Sequence, residues 1–423
     1  MSIVAKELIK VFTNKSVLFI FTLLIVLNGA LLYVNEYTAD LSYQPSAYKE
    51  LHQDIKGLSN EDVLDKLEAD YNELSFYLEL MIDQNINSSQ DSLIERYTDL
   101  DVPSLVEKYN NNSYLKYTDN YFFETELYRQ VLEDANGIVN YDAYLKKIDD
   151  DAKIMTSVSI FVKPDTFAYR NIKKMPLDFS HLKGNRLSID TSKGLKLATE
   201  SLTTDIIALV LILAVCMTLI TKEKEQDCLN LAKTTYRGRR PLAASKLVVA
   251  FISCAFIGLM LYSVNFAFGY FAYGFGDLGR YIQSLSGYIG SALNITVFQY
   301  LVLFLIAKLL VYMLISLIVL TVSILVNSSI GVYIVNVVIF GLSGILYYTI
   351  PATSVFSVFK YINIIAFLDT FKLFASYRNL NFFAMPVNYI SCFILAVVAG
   401  LVLLSAISIA LFSKQKSIRI AAR

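Results

Sequence analysis

Read for its apolar and polar positions, the chain is a series of long hydrophobic runs with charged text between them, interrupted once by a polar stretch at 35–202. The first run, SVLFIFTLLIVLNGALLYV (Ser16–Val34), has 19 residues; as a helix it extends about 28 Å, enough to cross hydrocarbon. TTDIIALVLILAVCMTLIT (Thr203–Thr221) is the second. The third opens after Lys246, and Phe266, Phe268, Tyr270, Phe271 and Tyr273 crowd its far end as an interfacial aromatic belt. The fourth lies within Val297–Val326, the fifth within Ile330–Tyr348 after a tight NSS, and the sixth is Tyr389–Phe412. Two segments remain between spans, 274–296 and 350–387. The first of them is too apolar for an ordinary loop and too broken by glycine for a span, so it reads as a short helix or re-entrant piece.

Shorter periodicities fill in the polar parts. Val4, Leu8, Val11 and Phe12 recur at helical spacing opposite Lys6, Glu7 and Lys10, which predicts an amphipathic helix over 1–15 lying on a membrane surface. The alternative, that the first apolar run is a cleaved signal peptide, fails on its length and on the spacing of small residues. Within the polar stretch, Ser59 and Asp62 form a capping pattern. Leu64, Leu67, Tyr71, Leu74, Leu78 and Met81 then step as an a/d seam that must bury against another helix. The helical patterns near Tyr121–Asp134 and Tyr141–Met155 supply partners; NNNSY and NGIVNYD read as turns.

Charge gives these elements a direction. The chain is 55% hydrophobic with a formal net charge of zero, but the zero conceals a segregation. Residues 35–202 hold 30 acidic against 18 basic residues, whereas 1–15, 222–246 and 413–423 together hold 14 basic against four acidic. Basic segments stay on the cytoplasmic side. The expectation is an all-α membrane protein: six transmembrane helices, with a mostly helical extracytoplasmic domain (35–202) inserted between span 1 (16–34) and span 2 (203–221). A cytoplasmic loop occupies 222–246, and 247–423 carries spans 3–6 and a basic cytoplasmic tail. Both termini are expected on the cytoplasmic side of a plasma membrane. The abundance of Lys, Ile, Asn and Tyr without Trp, and the absence of Cys from the polar stretch, fit a Gram-positive bacterium.

Candidate chemistry is sparse. His52 and His181 are the only histidines, and none of Cys216, Cys228, Cys254 and Cys392 lies near them, which argues against a metal site. No nucleophile–base constellation is legible, so no catalytic residue is expected, nor is any nucleic-acid partner. No G-x-x-x-x-G-K-[ST] occurs, so any nucleotide chemistry belongs elsewhere. Within the apolar runs only Lys308 sits deep, with Asp205 near the outer end of the second span. Lys308 either snorkels to the interface or pairs with Asp205 and ties spans 2 and 4 together. Two charges are too few to drive an ion-coupled carrier.

The loop TKEKEQDCLNLAKTTYRGRRPLAASK carries seven basic residues. These alone would fix orientation or attract anionic membrane lipid. The acids Glu223, Glu225 and Asp227 add nothing to orientation and fit polar contacts to a protein partner. With its Glu, spaced leucines, Thr-Thr, Gly-Arg and a Lys opening the next span, the loop resembles the first cytoplasmic loop of type-2 ABC (ATP-binding cassette) transporter permeases. YLKKIDDDAKIMTSVSIF, FAYRNIKK, GDLGRYIQSLSGY, YLVLFLIAKLL and FKYINIIAF are similar to an uncharacterised Gram-positive branch of that group, so the resemblance covers the chain from about Tyr141 onward. One departure is Asp227, where the family commonly has Gly.

The resemblance implies a coupling helix docked on a separate ABC ATPase subunit that holds the ATP, this chain needing no cofactor. That role falls on Glu223, Glu225, Leu229, Thr234, Thr235, Gly238 and Arg239. It also implies a second permease copy or paralogue, and export or extraction of an amphipathic lipid, peptide or antibiotic. An ATPase-coupled sensor or scaffold that binds a surface ligand through the outer domain is the alternative.

Overall fold

The computed structural model describes residues 3–38, 43–86, 104, 107, 115–157, 163, 165–226, 228–229, 239–351, 354 and 356–414. Helix α1 (Ile3–Phe12) lies against the bundle through its apolar face, with Val11 fully buried and Phe12 edge-on to Phe256 at 5.3 Å between ring centroids. Asn14 ends this surface helix and starts the next: its side chain accepts from the backbone N–H of Ser16 and Val17, capping α2 (Lys15–Tyr37).

The polar insert is built from α3 (Pro45–Asp54), α4 (Asn60–Ile86), α5 (Tyr121–Val139), α6 (Tyr141–Ser157) and α7 (Phe167–Phe179). Ser59 caps α4 through the Asp62 N–H, and α4 packs along α5. Leu67 and Leu74 of the expected seam are buried and Leu64 and Tyr71 half-buried. The stripe is wider than a/d spacing predicts, because Val63, Phe76 and Tyr77 are buried as well. NGIVNYD is not a turn throughout: Asn136–Val139 complete α5, and only Asn140 breaks the helix before α6. Gly137 lies within α5 with the end of the Ile289 side chain against it, where a Cβ would come within 2.1 Å of Ile289 Cδ1. NNNSY lies outside the described residues.

Among the described residues six helices are long and apolar enough to cross a membrane. Besides α2 they are the helical run Lys193–Glu225, which comprises α8 (Lys193–Thr199), α9 (Leu202–Leu219) and α10 (Thr221–Glu225); α11 (Arg240–Tyr273); α12 (Val297–Leu325); α13 (Ser329–Thr349); and, beyond the 350–387 segment, Tyr389–Lys414. In the most apolar windows of the second, third and fourth, 67, 50 and 56% of the residues are buried, against 17, 11 and 11% for the first, fifth and sixth. The middle three are therefore the core, and the other three turn apolar side chains outward, as hydrocarbon permits. Asn28 of α2, Thr204 of α9 and Asn265 of α11 form a fully buried hydrogen-bonded triangle of 2.7, 2.8 and 2.9 Å that joins these three helices.

Segment 274–296 is not a helix. A single 3-10 turn (Ile282–Ser284) sits in otherwise irregular chain, held by Gln283, whose amide donates to the carbonyls of Ser291 and Leu293. Segment 350–387 folds into α14 (Ser357–Tyr361), α15 (Ile364–Leu368), α16 (Thr370–Ala375) and the strands β1 (Asn379–Phe382) and β2 (Met385–Asn388), ahead of α17 (Tyr389–Lys414). This antiparallel pair is a local departure from an otherwise helical architecture that fits the all-α expectation. Its turn residues Phe383 and Ala384 both have positive φ, the twist that a two-residue hairpin requires.

Where α8 crosses α11 the backbones touch. A Cβ at Gly269 would lie 2.3 Å from the Gly194 carbonyl oxygen, and one at Gly194 would lie 2.6 Å from that of Gly269. Gly269→Val is expected to destabilise the chain by about 1–3 kcal/mol through overpacking, read as a lower unfolding temperature in detergent. His52, buried in α3 with Nδ1–H donating to the Tyr48 carbonyl, has its pKa pushed by burial from 6.5 to about 4. Between those values the unfolded chain binds the extra proton and the folded chain does not, so stability falls on acidification through that window. Unfolding of wild type and His52→Gln at pH 7, 5.5 and 4.5 checks this: the variant should show the shallower dependence.

Candidate functional site

Two clusters of charged groups among the described residues are each built around a lysine removed from water. The first surrounds Asp205. Ser201 caps α9 by accepting from the Thr204 N–H, which sets Asp205 in the first turn, where the helix dipole favours a carboxylate. Lys308 and Tyr312 are one turn apart on α12 and reach the same carboxylate. Lys308 Nζ donates to both oxygens (2.9 and 2.7 Å), Tyr312 donates at 2.7 Å, and Tyr262 of α11 donates at 3.0 Å. The third proton of Lys308 goes to the Leu368 carbonyl at 2.6 Å. All three ammonium donors are thus engaged, and the lysine, 2% exposed, does not snorkel. A buried pair so completely hydrogen-bonded is tolerable in a low-dielectric interior, and either charge alone is not.

A cavity of about 240 Å³ opens beside this pair. Its walls come from the start of α9, the end of α13 and the α15–α16 corner, and its polar lining includes Glu200, Asp205, Lys308, Asp369 and Lys372. Asp369 accepts from Tyr347 at 2.6 Å and pairs with Lys372 at 2.9 Å. Burial works against the Asp369 carboxylate, but these two partners outweigh it and hold its pKa below the ordinary value.

The second cluster lies at the start of the loop. Lys246 of α11, 1% exposed, pairs with Glu7 of α1 at 3.1 Å and Glu223 of α10 at 2.8 Å, and donates to the Leu219 carbonyl at 2.7 Å. Glu223 also pairs with Lys10 of α1. Two neighbouring residues tie the loop to the next spans. Lys224 donates to the carbonyls of Ser323, Ile324 and Val326 at the end of α12, and Glu225 accepts from the Ser329 N–H that begins α13.

Of the loop acids, Asp227 lies outside the described residues. Glu223 and Glu225 make specific polar contacts, but within the chain, to Lys10, Lys246 and a helix start; no sequence spacing pairs residues so far apart. Leu229 is 2% exposed and packs into the bundle core. Arg239 is exposed at the N-cap of α11. Thr234, Thr235 and Gly238 lie outside the described residues. Tyr312 was findable from sequence, one turn beyond Lys308 on the same face. Tyr262, Glu200 and the Leu368 carbonyl were not, since only the fold brings them to the site. Comparison with protein-family models, with curated proteins and with solved structures gives no match for this chain.

Removing one member of the Asp205–Lys308 pair leaves a buried charge. Asp205→Asn and Lys308→Met are each expected to cost about 3–5 kcal/mol, and the double variant clearly less than their sum. Denaturant titration in detergent measures the cycle; additive losses would show that the pair is not energetically coupled.

Proposed function

We propose that this chain is the membrane-spanning permease subunit of an ABC exporter, working with a separate ATPase and a second permease copy or paralogue on an amphipathic substrate. The observation that carries the proposal is the Lys246 cluster. It joins the amphipathic α1, the first turn of the loop and the base of α11, so a force applied to the loop reaches three elements at once. Among the described residues, the two charges deepest in the apolar spans, Asp205 and Lys308, neutralise each other, which supports a reading in which no ion gradient drives the chain. Energy then has to enter through a partner.

In this reading the loop and α1 face the cytoplasm and the polar insert lies outside. Arg239 and the loop residues around Thr234, Thr235 and Gly238 meet the ATPase, while Glu223, Glu225 and Leu229 pass the displacement inward rather than touching the partner. The ATPase favours one of two arrangements of the spans according to its nucleotide state, which requires contacts that differ between those states. The outward apolar faces of α2, α13 and α17 are available to lipid and to the second copy.

The test is a search for an ABC ATPase encoded beside this chain, followed by co-purification of the two. Wild type should retain the ATPase and alter its hydrolysis rate. Gly238→Pro combined with Arg239→Glu should reduce association at least tenfold while the chain stays folded. Unchanged association would reject the coupling assignment, and solute movement by the purified chain without any ATPase would reject the permease reading. Association with no transport, together with a hydrolysis rate that responds to a ligand of the polar insert, would favour a sensor.

A further inference from the structure

We infer that the cavity beside the Asp205–Lys308 pair binds the protonated amine head of an amphiphile, with Glu200 as counter-ion and the apolar tail directed toward the exposed flank of α9 and α13. This names a substrate chemistry for the proposed permease: transport of the bound amine rests on that reading, and binding itself does not.

Charge counting points the way. Three carboxylates and two ammonium groups line the cavity. Asp205 is matched by Lys308 and Asp369 by Lys372, which leaves Glu200 unmatched. Among the described residues no ion pair reaches Glu200, and its Oε1, shut off from solvent, has no hydrogen-bond partner. Lys196, one turn earlier on α8, is exposed. Thr370, on the same lining, is 1% exposed, and its hydroxyl also lacks a partner.

A buried carboxylate oxygen and a buried hydroxyl without donors are costly as they stand, and one group that supplies both positive charge and several N–H donors relieves them together. An ammonium does this. A head that carries negative charge and no ammonium would face the unmatched carboxylate without supplying a donor. The rest of the wall is apolar, and Leu202, Ile206 and Tyr348 are exposed on the flank where the other spans also present apolar side chains. A tail therefore has a path into hydrocarbon without crossing water. The volume accommodates a head group and the beginning of one chain, and excludes a folded peptide.

The experiment uses the purified full chain in phosphatidylglycerol nanodiscs without ATPase, with empty discs as the reference for partitioning. Tritiated dodecylamine is followed by scintillation proximity. The expected result is saturable binding, displaced by unlabelled dodecylamine and not by dodecanol or dodecanoate. Glu200→Gln should weaken it at least tenfold, and Thr370→Val by a smaller factor. Ile206→Trp, which fills the cavity from its exposed side and alters no charge, should abolish binding even if Glu200→Gln folds poorly. Discs containing phosphatidylethanolamine separate the sources: Glu200-dependent competition identifies the bilayer's own lipid, and its absence a water-borne amine. Equal displacement by dodecanol, or binding unaffected by both Glu200→Gln and Ile206→Trp, overturns the inference. Because no ATPase is present, that failure leaves the permease reading standing, and failed ATPase association leaves this site standing.

Discussion

The carboxylate of Asp205 is the constraint around which the apolar half of the molecule is arranged. An isolated carboxylate at that depth would either neutralise or draw in water. Here it collects Lys308, Tyr312 and Tyr262, which fixes the rotation of α9, α11 and α12 about their own axes. Because Lys308 also donates to the Leu368 carbonyl, the α15 corner is held against the same point. The cavity wall is thus a product of the pair: the groups that satisfy one charge also position the space beside it.

Lys246 applies the same logic at the opposite end of α11. Sixteen residues separate Lys246 from Tyr262, about 24 Å along the helix. One helix is therefore tied twice to the α8–α10 run, once by the Tyr262 hydroxyl on Asp205 and once by the Lys246 ammonium on Glu223 and the Leu219 carbonyl. The buried triangle of Asn28, Thr204 and Asn265 adds a third tie on the same helix. Apolar side chains alone give little orientation to helices in lipid, since hydrocarbon is as good a neighbour as leucine. Polar ties supply it.

Much of this architecture was legible in the sequence, and the limits of legibility are physical. The six apolar helices are visible because length and hydrophobicity are local properties, and the amphipathic α1 and the Ser59 cap for the same reason. The Asp205–Lys308 pair could be guessed because charges inside apolar runs are few enough to force a short list. What escaped was set by distant partners. Glu223 reads as a contact for a protein partner, and its pairing with Lys10 and Lys246 appears only in the fold; Gly137 reads as part of a turn although it lies within α5, and Glu200 looks like one more acid of the polar insert. The hairpin at 379–388 escaped because its turn uses Phe383 and Ala384, where Asn-Gly would have announced it.

The unbroken length of α11 has a mechanical meaning. From Lys246 to Tyr273 it is a rod of about 40 Å with no internal proline, rooted at one end beside the loop and at the other in the aromatic core of the polar insert, where Tyr273 packs edge-on to Tyr48. A stiff lever of that length turns a tilt of about 5° into a displacement of roughly 3–4 Å at its far end. A pivot at the base of the bundle would therefore swing the insert through the same arc.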